Sequence, residues 1–133
     1  MRFPLFALFA LTAVTFAADY HPVASTRQLM MSISKPAMDG LAQMAQAGGP
    51  KDDKEWDKAA AWAAAIGESA ELLTLGDRPK DKDVWTGSSQ KLNEASAASM
   101  KAAAARDVDA WKAANGSMGA ACKSCHSVHR KRQ

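Results

Sequence analysis

Residues 107–130 read DVDAWKAANGSMGAACKSCHSVHR, and the period of this stretch decides the fold. Trp111, Ala114, Met118, Cys122, Cys125 and His129 follow one another at intervals of three or four residues, the spacing of one helical face. Asp107 stands where a helix cap belongs, and the basic residues after the stretch suit the negative end of a helix dipole. Three segments upstream share the period. From Asp81 to about Ala105, the residues Trp85, Leu92, Ala95, Ser99 and Ala102 form a narrow stripe, small enough for helix axes to approach closely. From Asp52, with Glu55 three residues later, Trp56, Ala60, Ala63, Gly67, Ala70 and Leu73 share a face. The segment from Ser25 to about Gln46 opens with Gln28 three residues after Ser25, the two halves of a capping box. Pro36 lies inside it and must remove one backbone hydrogen bond, so a kink or a break into two pieces is expected there. Gly48, Gly49 and Pro50 end the first segment, and Gly76 to Pro79 ends the second. No window alternates as a strand does. The expected fold is all-α. Short connections favour antiparallel neighbours, so an up-down-up-down four-helix bundle is the simplest architecture. Trp56, Trp62, Trp85 and Trp111 are read as packing residues.

At 133 residues the chain is long enough for one domain and too short for two comfortable ones. Its start, Met1 and Arg2 followed by an almost unbroken apolar run from Phe3 to Phe16 and then Ala17 and Ala18, has the layout of a secretory signal peptide. The expected cut follows Ala17, with Thr15 three positions before it. That leaves residues 1–17 as a cleaved leader and 18–133 as the mature domain, periplasmic and without stable membrane insertion. The apolar run is shorter than the roughly 20 residues that a membrane-spanning helix needs. Seventeen Lys and Arg stand against fourteen Asp and Glu. They are interspersed apart from the tail Arg130, Lys131 and Arg132, a pattern that gives no nucleic-acid footprint.

Cys122 and Cys125, the two cysteines, sit three residues apart and run into His126. A disulfide across so short a loop would constrain almost no chain, so stabilisation is a weak reason for the pair. A thioredoxin-like dithiol needs a βαβ setting that this sequence lacks. A zinc site from Cys122, Cys125, His126 and His129 would require four ligands within eight helical residues to surround one ion. Cys-x-x-Cys-His is the attachment signature of c-type haem, and its spacing has a mechanical reason. On a helix the two thiols and the imidazole share one face, so the thiols can add to the two haem vinyl groups while His126 ligates iron from below. One covalently attached haem per chain is the expected cofactor.

With those residues in place, the chain resembles the class II cytochromes c, the cytochrome c′ family, four-helix bundles that carry the haem signature in the last helix. The likeness rests on the Arg27-Gln28 pair in the first segment, Trp85 opening the third, and Cys-Lys-Ser-Cys-His-Ser-Val-His-Arg in the last. The resemblance implies that Arg130, four residues after the haem histidine, lies near the proximal ligand. It also implies that the residue four after Arg27, which is Met31, faces the distal side of the iron. Low-spin members have methionine there and use its sulfur as sixth ligand, whereas five-coordinate members have an apolar residue and an open iron. A thioether favours ferrous iron and suits electron transfer. The expectation is a single-electron carrier with His126/Met31 ligation and no catalytic residues, serving redox partner proteins of the exported compartment. The alternative is a five-coordinate protein that binds nitric oxide or carbon monoxide. Met30 is the nearest rival to Met31, because helix phase alone does not separate adjacent residues. Arg27 is suited to pair with a haem propionate. A homodimer is the family's usual assembly, yet the segment from Leu73 to Trp85 lacks the aromatic and proline-rich loop of its best-known members.

Overall fold

The computed structural model describes residues 20–130; the leader expected at residues 1–17, and Lys131 and Arg132 of the basic tail, lie outside the described residues. The fold is all-α. Five α-helices, α1 (Thr26–Leu29), α2 (Lys35–Gln46), α3 (Asp53–Leu72), α4 (Gly87–Ala104) and α5 (Val108–His129), are joined by two π-helical turns, Met30–Ser34 and Lys82–Thr86. The first π turn fuses α1 to α2 and the second leads into α4, so the chain forms four long helical segments, consistent with a helix bundle.

Each segment begins at a side-chain cap. Ser25 accepts the Gln28 N–H at 3.2 Å while Gln28 Oε1 accepts the Ser25 N–H at 2.9 Å, completing the expected capping box. Asp52 caps α3 through the Glu55 N–H at 2.9 Å, and Asp107 caps α5 through the Ala110 N–H at 2.9 Å. Pro36 does not break the first segment in two: helical residues run without interruption from Thr26 to Gln46. Proline has no N–H to give and its ring crowds the carbonyl four residues back. The backbone responds just upstream by widening, so that the Lys35 N–H reaches the Met30 carbonyl five residues away. The chain turns back after Gly48 and Gly49, whose φ values of 95° and 110° are costly for residues with a side chain. A Cβ on Gly49 would also meet Val108 at 2.9 Å.

The interior is made largely of small residues. Ala59, Ala63, Ile66, Trp111 and Met118 are fully buried, with Ala37, Leu41, Trp56, Leu92 and Ala103 nearly so. Alanine and glycine let α3 and α4 pack so closely that a Cβ on Gly67 would stand 3.3 Å from the Cβ of Ser96. Gly40 likewise lies directly against the Trp62 ring. Buried serines bring hydroxyls into this core, and Ser34, Ser69, Ser89, Ser96 and Ser99 all find partners, as burial demands. Ser34 pairs with Ser69 at 2.9 Å, Ser96 donates to the Leu92 carbonyl at 2.8 Å, and Ser99 donates to Asn115 Oδ1 at 2.9 Å.

Two sets of contacts place the segment ends. Leu29, Leu73 and Trp85 form one buried cluster, with Met30, Ile33, Leu72 and Cys125 packed against it, so the starts of the first and third segments meet the ends of the second and fourth. Away from this cluster, Arg106, in a left-handed conformation at φ 57° between α4 and α5, donates to Asp53 at 2.8 Å and lies over the Trp56 ring. Trp56 in turn meets Trp111 edge to face at 6.1 Å.

Candidate functional site

Cys122, Cys125 and His126 occupy the last two turns of α5. The helix places them at relative positions 0, 3 and 4, hence on one face. Both cysteines are free thiols and half-buried. Burial pushes both thiols above their ordinary range, and for Cys125 the negative charge of Asp81 adds to the effect. His126 is exposed, and its imidazole is held below the usual histidine value, first by partial burial and then by the charge of Arg130. A neutral ring keeps a lone pair available for a metal. Arg130 closes α5, its backbone N–H reaching the His126 carbonyl at 3.3 Å. The donor set therefore fits a covalently held haem: two reduced thiols and one neutral imidazole on one helix face, with the imidazole open to an incoming group. Among the described residues no three His, Cys, Asp or Glu side chains converge as a metal cage.

The start of the first segment reaches the same end of the molecule as Cys125. The π turn carries both methionines named from the sequence, and packing treats them differently. Met30 is half-buried against the cluster that also receives Cys125, whereas Met31 lies outside that cluster and is 55 % exposed. Arg27, one turn before Met31, is exposed and makes no ion pair among the described residues. Both the π turn and α2 pack on α3, and α2 also meets α5.

Two residues at this end were not assigned a site role from sequence. Asp81 caps the third segment with Oδ1, accepting the Val84 N–H at 2.6 Å and the Trp85 N–H at 3.0 Å, while its Oδ2 lies 2.7 Å from His129 Nε2. Trp85 places its ring edge to face on His129 at 5.4 Å and donates through Nε1 to the Leu73 carbonyl at 2.8 Å. Asp81 could be read as a helix start from its place in the sequence, and Trp85 as a core residue. Their meeting with His129 carries no local signal. His129 is held between them. Arg78 is a second unforeseen feature. It is buried, and it ties the chain before α1 to the turn after α3 by donating to Tyr20 Oη at 3.0 Å, the Ala24 carbonyl at 3.0 Å and the Leu72 carbonyl at 2.9 Å.

No family model, curated protein or solved structure matches the chain. Among the described residues no helix is long and apolar enough to cross a membrane.

Proposed function

We propose that this chain is an exported c-type cytochrome that carries single electrons and is related to the cytochrome c′ family. Its haem is attached through Cys122 and Cys125, with His126 as proximal ligand and Met31 as sixth. The observation that carries the reading is the pair of free, half-buried thiols followed by an exposed imidazole on one face of the last helix. The gathering of opposite segment ends around Leu29, Leu73 and Trp85 supports an antiparallel up-down-up-down order, which brings the first segment's methionines to the haem end. When bound, the haem supplies the redox change. Cys122 and Cys125 would hold it covalently, His126 would ligate its iron, and Arg27 and Arg130 would supply positive charge for its propionates and beside His126. The function is non-enzymatic, in a soluble periplasmic protein whose partners are redox proteins of that compartment.

Expression with the haem attachment machinery should yield a protein whose Soret-absorbing chromophore survives acid-acetone extraction. Wild type should be low-spin in the ferric state, and Met31→Ala should convert it to a high-spin spectrum. A chain recovered without covalent haem would refute the reading. A high-spin wild type would favour the five-coordinate, gas-binding alternative, in which Met31 lines an open side of the iron.

A further inference from the structure

His129 stands one helical turn beyond His126, with a side chain only 16 % exposed. Electron transport by the proposed cytochrome makes no use of it, yet the third segment holds it directly and the second holds it through Trp85. The third segment contributes the Asp81 carboxylate, 2.7 Å from Nε2, and the edge-to-face Trp85 ring. The second contributes the Leu73 carbonyl that pins Trp85. The carboxylate is placed by the Val84 and Trp85 N–H groups it caps, independently of His129. The Nε2 is buried, and its N–H direction misses a good hydrogen bond to Asp81. Asp81 therefore acts on the ring chiefly as a nearby negative charge, in surroundings drier than bulk water. Asp81 is the charged group that faces His129 from the third segment; Lys82 and Asp83, next along, are exposed. On α5 itself the neighbours are exposed Arg130 and, one turn back, His126 and Cys125, whose thiol no longer titrates once it carries the haem.

We infer that His129, held by Asp81 and Trp85, takes up a proton when the haem iron is reduced, so that this protein moves a proton together with its electron. The inference rests on the haem reading above. An electron from a reduced partner protein converts ferric to ferrous iron, and one proton passes from water to the His129 imidazole, giving an imidazolium that faces the Asp81 carboxylate. No other bond changes. The physical cause is charge. Ferric iron carries one more positive charge than ferrous and repels a protonated ring one turn away, whereas Asp81 attracts that ring in both states. Linkage makes the coupling reciprocal: if reduction strengthens proton binding, proton binding raises the reduction potential. Histidine titrates between about pH 5 and about pH 8, where such coupling would act.

The test is a spectroelectrochemical titration of the haem-loaded protein across that pH range, for wild type, His129→Gln and Asp81→Asn. The wild-type midpoint potential should fall as pH rises through one titration. The fall should vanish in His129→Gln. In Asp81→Asn, whose amide still caps the helix, it should move to lower pH, because the imidazolium loses its counter-charge. The His129 ring protons should titrate by NMR at higher pH in the ferrous than in the ferric protein. An undiminished slope in His129→Gln would overturn the inference and assign the proton to a propionate or to His126. If that variant does not fold, an unmoved window in Asp81→Asn overturns it equally. Failure of the haem reading looks different: no covalent chromophore forms, in wild type or in either variant.

Discussion

Asp81 shows how much one side chain can decide at this end of the molecule. Its carboxyl is held below the ordinary aspartate value, most strongly by the Trp85 N–H and further by the Val84 N–H and His129, against a burial effect that raises it. A carboxyl with a lowered folded-state value stabilises the fold above the ordinary aspartate range, and that contribution is lost as pH falls through the lowered value. Asp81→Asn keeps a capping side chain and loses the charge. In acid denaturation followed by circular dichroism, wild type should therefore exceed the variant in stability near neutral pH, and the gap should close as the solution is acidified below about pH 4. The methionines give the complementary lesson. Met30 and Met31 are indistinguishable as thioethers and adjacent in sequence. Only packing sets Met30 against the Leu29 cluster and leaves Met31 open.

At the scale of the element, the first segment separates local signals from non-local ones. Its start was legible because a capping box is contained within four residues, and both of its hydrogen bonds form. Ser25→Ala should lower stability by about 1 kcal/mol, read from urea unfolding midpoints at unchanged slope. The response to Pro36 was only half legible. Proline announces that a backbone hydrogen bond is lost, but whether the helix kinks, breaks or widens depends on what holds its two sides. Here Leu29 before the proline and Ser34, Ala37 and Leu41 around it are all buried, with Ser34 bonded to Ser69. Both sides are anchored, so the strain is taken up between them as a π turn. The second π turn, at Lys82–Thr86, had no proline to announce it.

For the molecule as a whole, a tight small-residue core carries the fold, and the proposed haem would add to its stability. A haem bound by the folded chain alone stabilises that fold by mass action. On the haem reading, the Cys122→Ala/Cys125→Ala protein should therefore melt lower than wild type produced with the haem attachment machinery by about 5 °C or more in a thermal scan, with its helical spectrum retained at low temperature. The four helical segments, their caps and the face shared by Cys122, Cys125 and His126 were determined by the sequence itself. Helical period, capping and i to i+4 spacing are properties of a few consecutive residues and need no partner to be expressed. The tertiary structure alone decided that Met30 rather than Met31 packs against the cluster that also receives Cys125, that Arg78 straps the N-terminal chain, and that His129 meets Asp81 and Trp85. Each of these depends on how one helix lies on another, and a one-residue change of phase turns a side chain through about 100°.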